Sequence, residues 1–308
     1  MARYAYFEGR VVDLEDARIS VMTHAFNYGT ACFEGIRAYW NEERRQLYLF
    51  RVREHYQRML NSAKILRIRS PLTLDQLVEV TLDILRRNGD REDVYVRPLF
   101  YKSERAIGVR LHGLSDDFTL FAVPFGPYLD VEKPIRARVS SWRHVGDNVI
   151  PMRAKISGSY VNAALAKSEA AEDGYDEAIF LTEDGHVSEG SAENLFLVRN
   201  GRLITTPVYA DILEGITRAT ILQLATEQLH LPVEERPIDR TELYVADEVF
   251  LVGTGAQVSA VGEIDHRPVG DGAMGPITRR IQRLYFDVVK GNVPEYRHWL
   301  TPVYQEGK

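Results

Sequence analysis

"PMRAKISGSY", Pro151 to Tyr160, holds one lysine, Lys155, among side chains too small or too apolar to solvate it. Ala154 and Ile156 offer no counter-charge, and Ser157-Gly158-Ser159 leaves room for a bulky group to approach. Burial disfavours the ammonium form and lowers a lysine pKa, by up to ~3–5 units in full burial, leaving an amine able to attack an aldehyde. A Schiff-base lysine wants that setting. Lysines are seldom buried without a partner, so on this stretch alone a plain surface position stays open. Lys167, in "AALAKSEAAEDG", is the contrast, expected as a solvated helix lysine beside glutamates.

The chain has 308 residues, above the roughly 250–300 at which single cores tend to divide, so two domains are expected. Hydrophobic residues make up 45% and charged residues 27%, a globular balance that excludes disordered and fibrous classes. With a formal net charge of −6 and no block of lysine and arginine, no nucleic-acid partner is expected. Arg3, Glu8 and Arg10 interrupt the start where a signal peptide needs an apolar run. No apolar stretch reaches the roughly 20 residues that span a bilayer. Cys32 stands alone, excluding an intrachain disulfide. A reduced, cytoplasmic protein without a membrane partner is expected.

"YAYFEGRVVD" reads as a hairpin turning at Glu8-Gly9. "LYLFRVREHYQRMLNSAKIL" reads as a strand giving way to a helix with Tyr56, Met59, Leu60 and Ala63 on one face. "TLDQLVEVTLDILRRNG" is an amphipathic helix: Thr73 caps it, Leu77, Val78, Thr81, Ile84 and Leu85 share a face, and Gly89 ends it. "DVYVRPLFY" and "DFTLFAVPF" are strands, and "GPYLDVEKP", Gly126 to Pro134, gathers the proline, glycine and charge of a linker. The second half offers strands "RARVSSW", "EAIFLT", "NLFLVRNGRLIT" and "DEVFLVG". Its helices are Tyr160 to Glu172, closed by Gly174, then "GITRATILQLATEQL" and "PITRRIQRLYFDVVKG". This mixture predicts two α/β sandwiches with mixed sheets and not a regular βαβ alternation. The expected division is a domain over 1–125, a linker over 126–134 and a domain over 135–308.

Three further stretches carry chemistry. In "GHVSEGSAENLFLV", Glu189 lies in a small-residue turn before an apolar strand, where a carboxylate needs a cationic or donating partner. Ser188, Glu189 and Ser191 as a polar turn, and Glu189 facing a protonated ring nitrogen, both remain open. "LEGITRATILQLA" sets Gly215, Ile216 and Thr217 at a helix start, where free amides and the dipole make a phosphate seat. An ordinary threonine cap fits that stretch equally. "FLVGTGAQV" lacks the third glycine of a dinucleotide fingerprint, Val258 standing in its place, so a Rossmann reading is rejected. A tight turn offering amides to a small anion, or a plain turn, remains. There is no HExxH, no cysteine pair, no calcium-type loop and no G-x-S-x-G elbow, so no metal is expected.

Taken together and in this order, "HAFNYGTACFEGIRAY", "FRVREHYQRMLNSAKIL", "YVRPL", "AKISGSYVNAALAKSEA", "SEGSAENLF", "GITR" and "LYVADEVFLVGTGA" make the chain resemble the branched-chain amino acid aminotransferases. These belong to the fold-type-IV group of pyridoxal-phosphate enzymes, and the resemblance covers nearly the whole chain. It implies a small N-terminal α/β sandwich and a larger C-terminal pseudo-barrel domain. Lys155 would form the Schiff base with pyridoxal 5'-phosphate and shuttle the proton. Tyr160 would bond the ring hydroxyl and Glu189 the pyridine nitrogen. The phosphate would rest on Arg58, Gly215, Ile216, Thr217, Gly253 and Thr254. The substrate carboxylate would meet Tyr95 and the amides of Thr254 and Gly255. Tyr28, Phe33, Gly35, Arg37, Val109 and Tyr128 would line the pocket. Arg97, helped by Tyr28 and Tyr128, would take the distal carboxylate of glutamate.

The implied reaction is ping-pong transamination of leucine, isoleucine or valine with 2-oxoglutarate, giving branched-chain 2-oxo acids and L-glutamate, in a homodimer. Gly255 stands where alanine is common in the family, and Ser159 where asparagine is common. Cys32 reads as small filler. D-amino-acid transaminases, (R)-amine transaminases and the aminodeoxychorismate lyases share the fold and are the alternatives. A non-catalytic small-molecule binding module is the reading from another class.

Overall fold

The computed structural model describes residues 3–126 and 128–305. Met1, Ala2, Pro127 and residues 306–308 lie outside the described residues, as do the parts of the expected domains and linker that fall on them. The chain forms two compact units. The first takes the chain up to Gly126, the run Ala154–Gly158, and everything from Asp287 onward; the second takes the chain on to Arg153 and then Ser159–Phe286.

The first unit opens with strands β1 (Tyr4–Phe7) and β2 (Arg10–Asp13). Glu8 and Gly9 turn between them with φ of 47° and 78°, the left-handed pair that matches strand twist in a two-residue hairpin. Then come α1 (His24–Tyr28), β3 (Ala31–Phe33), β4 (Ile36–Asn41), β5 (Gln46–Phe50), α2 (Val52–Ile65), α3 (Leu74–Asn88), β6 (Val94–Lys102) and β7 (Asp116–Pro124). Thr73 caps α3 as expected: its Oγ1 accepts from the Gln76 amide while Gln76 Oε1 accepts from the Thr73 amide. Gly89 ends the helix in the left-handed region at φ 68°. Tyr56, Met59 and Ala63 of α2 are buried as its period predicts, but His55 and Ser62 are buried with them.

The second unit holds β8 (Ile135–Arg143), α4 (Tyr160–Glu172), β9 (Glu177–Leu181), β10 (Val187–Gly190), β11 (Asn194–Arg199), β12 (Arg202–Thr205), α5 (Ile216–Glu227), β13 (Val233–Glu235), β14 (Glu248–Gly253), β15 (Gln257–Ile264) and β16 (Arg267–Pro268). Helix α6 (Pro276–Val289) follows, and β17 (Leu300–Pro302) belongs to the first unit. The second sheet runs β10-β9-β8-β15-β14-β11-β12-β13, with β16 on β15. It is mixed: β8 pairs parallel with both β9 and β15, and β12 with β13. The apolar sides of β8, β9, β11, β14 and β15 bury Val139, Ile179, Leu195, Leu197, Leu251 and Val261 in one core. Glu248 caps α6 from β14, accepting from the amides of Ile277 (3.0 Å) and Thr278 (2.7 Å).

Two features differ from expectation. The first sheet, ordered β17-β5-β4-β6-β7-β1-β2 with β3 on β6, is antiparallel throughout and not mixed. The run Ala154–Gly158 and the C-terminal stretch fold with the first unit, although 135–308 was expected to form one domain. Ile156 bridges Cys32 beside β3, and β17 pairs with β5. Both pairings join residues far apart in the chain, which no local period announces. The strands β13 and β15 also escaped a local reading.

Candidate active site

In the first unit Lys155 sits at a tight turn, the Ile156 amide donating to the Ala154 carbonyl (2.9 Å), and is held by its backbone. Its carbonyl accepts from the Phe33 amide (3.0 Å), and its own amide donates to Ser62 Oγ (3.2 Å). The side chain is half-buried, with Nζ 5.1 Å from the centre of the Phe33 ring. Gly29 and Gly158 allow the run to come this close. A Cβ on Gly29, whose φ is 65°, would stand 2.8 Å from Gly158 Cα.

Glu34 follows Phe33 and is fully buried. Its carboxylate accepts from Arg58 Nε (2.7 Å) and Nη2 (2.8 Å) and from His55 Nδ1 (2.8 Å). Burial alone would push this carboxyl up, but the Arg58 guanidinium and the His55 N–H outweigh it and hold it well below the usual range. Burial pushes His55 down; the bond to Glu34 opposes this, while the charges of Arg58 and Lys155 add to it. Arg58 therefore faces an ionised Glu34 beside a neutral imidazole.

Of the expected pocket residues of this unit, Phe33 ends β3, Gly35 lies between β3 and β4, Arg37 is on β4, and Tyr95 and Arg97 are on β6. A Cβ on Gly35 would come within 2.2 Å of Tyr95 Oη, so any larger residue there would have to displace the Tyr95 ring. Arg97 Nη2 donates to that oxygen (2.9 Å), and the guanidinium lies 4.3 Å from the Phe33 ring centre. Its Nε is buried without a hydrogen-bond partner, as a group awaiting an acceptor would be. Arg37 is committed elsewhere. Its Nη2 donates to the carbonyls of Phe125 (2.8 Å) and Gly126 (3.1 Å). Tyr28 Oη accepts from the Gly108 amide (3.0 Å), next to Val109, whose side chain is exposed.

In the second unit Glu189 lies in β10 and is buried, so the polar turn expected around Ser188 and Ser191 begins only after Gly190. Asn194 Nδ2 donates to Glu189 Oε2 (2.7 Å) and the Leu213 amide to Oε1 (3.2 Å). Ser188 Oγ gives its proton to the Ala210 carbonyl (2.7 Å), so His144 Nδ1, 3.1 Å away, is the donor to Ser188. Burial lowers His144 to about 4.

Asn194 also abuts the helix start, because a Cβ on Gly215 would fall 2.0 Å from its Oδ1. Gly215 is the N-cap of α5 and makes no side-chain cap bond; the first turn carries no acid. Thr217 is buried inside the helix and is not its cap, so the amides of Ile216 and Thr217 stand at the positive end. Thr254 and Gly255 form the turn between β14 and the antiparallel β15, with Gly253 paired to Gln257; no helix follows, which removes the dinucleotide reading. The Tyr128 amide donates to the Gly255 carbonyl (3.4 Å). Tyr160 opens α4 after a 3-10 turn over Ser157–Ser159.

Lys167 is not the solvated lysine expected. Its Nζ donates to Glu177 Oε2 (2.6 Å) and to the Asp176 carbonyl, and lies 5.2 Å from the Tyr128 ring centre. Burial, then the charge of Glu177, pushes nearby Glu193 up to about 8. Glu34, His55, Ser62, His144 and Asn194 were not picked out from the sequence. The available hint was a glutamate inside the apolar run "ACFEGIRAYW". Among the described residues no group of histidine, cysteine, aspartate and glutamate could hold a metal ion, and no helix is long and apolar enough to cross a membrane.

Two sheet-and-helix units, an anchored lysine and an uncapped helix start define the class. Residues 31–264 match the family described as amino-transferase class IV, and the chain belongs to that family. A probable branched-chain-amino-acid aminotransferase of Aquifex aeolicus is 51% identical over 303 residues, 98% of this chain and 97% of its own. The branched-chain aminotransferase of the archaeon Thermoproteus uzoniensis, crystallised with norvaline, superimposes with a TM-score of 0.95 at 45% identity, covering 99% of this chain and 100% of that one. The branched-chain amino acid aminotransferase of Thermobaculum terrenum, in its PLP-bound holo form, gives 0.94 at 39% identity, covering 99% of each chain.

Proposed function

We propose that this chain is a pyridoxal-phosphate-dependent branched-chain-amino-acid aminotransferase. It moves the amino group of L-leucine, L-isoleucine or L-valine to 2-oxoglutarate and releases branched-chain 2-oxo acids and L-glutamate. The observation that carries the reading is Lys155, an amine on a run anchored through both backbone groups in a class IV fold. The residues fit the cofactor. An acceptor-only carboxylate at Glu189 is locked by two donors, and the α5 amides end on a glycine that tolerates no Cβ.

Each residue then has a task. Lys155 Nζ would hold the cofactor at its aldehyde carbon, and the same amine would act as the base that takes the proton from the substrate Cα and as the acid that delivers it to that cofactor carbon. The cofactor, when bound, supplies a conjugated ring that takes up the electron pair left at Cα. Glu189 keeps a proton on the ring nitrogen, and Tyr160 orients the ring through its hydroxyl. Arg58, the amides of Gly215, Ile216 and Thr217, and the Gly253-Thr254 turn hold the phosphate. Tyr95 with the Thr254 and Gly255 amides takes the α-carboxylate, while Phe33, Gly35, Arg37, Tyr28, Val109 and Tyr128 shape the pocket. Arg97 pairs with the second carboxylate of 2-oxoglutarate.

The working form is a cytoplasmic homodimer. The exposed Ile19, Val21, Met22, Phe26, Ile107 and Val109 of the first unit are the surface that supports a second copy. The test is spectroscopic: L-leucine should abolish the cofactor's long-wavelength absorbance and 2-oxoglutarate should restore it. Borohydride should fix the cofactor's mass on Lys155. Loss of absorbance with D-alanine but not with L-leucine refutes the substrate assignment.

A further inference from the structure

We infer that Glu34 is a positioning residue that aims Arg58 at the cofactor phosphate; the inference rests on the proposed role of Arg58. A guanidinium is a planar fork, and Glu34 occupies its Nε–Nη2 edge with both carboxylate oxygens (2.7 and 2.8 Å). That grip fixes the plane in which the remaining N–H donors point. His55 Nδ1, donating to Glu34 Oε2 (2.8 Å), holds the carboxylate in turn.

The grip is continuous with the lysine. Glu34 follows Phe33, whose amide bonds the Lys155 carbonyl. One turn beyond Arg58 on α2, Ser62 Oγ donates to the Arg58 carbonyl (3.1 Å) and accepts from the Lys155 amide (3.2 Å). Glu34 therefore helps set where the phosphate-binding guanidinium stands relative to the Schiff-base amine.

The charge balance makes the inference testable by sign. An ionised Glu34 neutralises Arg58, so the pair offers the phosphate direction more than net charge. Glu34→Gln adds one positive charge beside the phosphate, and Coulomb attraction alone would tighten binding. Loss of aim loosens it.

The experiment titrates the full-length chain, freed of cofactor, with pyridoxal phosphate and separately with pyridoxal, which lacks the phosphate. Tryptophan fluorescence and the 31P resonance of the bound phosphate are the readouts. Glu34→Gln should weaken pyridoxal phosphate by about tenfold or more, the worth of a charge-assisted hydrogen bond. Pyridoxal affinity should change less than about twofold, and the bound 31P resonance should move toward its position in Arg58→Gln. Unchanged or tighter pyridoxal phosphate binding overturns the inference, and so does an equal loss for both ligands, which marks a general structural role.

Removing one partner of a buried ion pair is costly, so Glu34→Gln is also made in an Arg58→Gln background, where the guanidinium is already gone. There the double variant should bind pyridoxal phosphate no more weakly than Arg58→Gln alone, because no guanidinium is left to aim; a further loss in the double variant overturns the inference. If the unaltered chain itself binds no pyridoxal phosphate, the proposed function falls and the inference with it.

Discussion

The role proposed for Arg97 puts the problem of two unlike substrates on one side chain. It rests on the Phe33 ring and on Tyr95 Oη, with its Nε buried and unbonded. An apolar leucine side chain asks nothing of that fork, whereas 2-oxoglutarate brings a carboxylate to it. Arg97→Ala should leave the leucine half-reaction within about threefold and slow the 2-oxoglutarate half-reaction by about 10- to 100-fold, as loss of a charge-assisted pair requires. Single-turnover absorbance measures both, and equal losses would refute the dual role. Gly35→Ala should act through its neighbour. The new Cβ would collide with Tyr95 Oη at 2.2 Å, raising KM for both substrates while borohydride still traps the cofactor on Lys155. Most of these residues could be picked out along the chain, but Glu34 could not, because a buried carboxylate is recognised by partners that come from α2, a different part of the chain.

Elements divide into those with local causes and those without. Helix α3 has local causes, and its capping Thr73 is exposed. Thr73→Ala should cost about 1 kcal/mol, read as a lower urea midpoint, with transamination kinetics unchanged. Helix α5 is different, because its start is fitted to Asn194, which also holds Glu189. Gly215→Ala should therefore weaken cofactor binding and blue-shift or broaden its spectrum, where Thr73→Ala does neither. Strand β10 shows the limit of local reading. "VSEG" is too short and polar to announce a strand, and it becomes one by pairing with β9.

For the molecule as a whole, two buried groups of the second unit set opposite pH slopes. His144 sits at about 4 against an ordinary 6.5. Between those values the unfolded chain binds a proton the folded one refuses, so stability falls as pH drops through that window. Glu193, raised from 4.5 to about 8, keeps a proton that the unfolded chain has lost, so stability falls as pH rises through that window. Glu193→Gln should flatten the loss of urea midpoint between about pH 5 and about pH 8, and His144→Gln the loss below about pH 6. The proposed dimer rests on the exposed apolar residues near Phe26: Phe26→Asp should shift the chain toward a monomer in light scattering, and a monomeric mass in the parent would refute the dimer.

Hairpin, capped helices and amphipathic periods could be read directly along this chain, because turns, caps and faces depend on residues within a few positions of one another. The order of motifs also pointed to Lys155, Glu189 and the start of α5 as the residues proposed to hold the cofactor. What needed the folded chain was the company each residue keeps: Ile156 against Cys32, Glu34 on Arg58, Asn194 on Glu189, Lys167 on Glu177. Those partners stand at sequence separations that follow no fixed period, and it is burial, which makes an unpaired charge costly, that selects them.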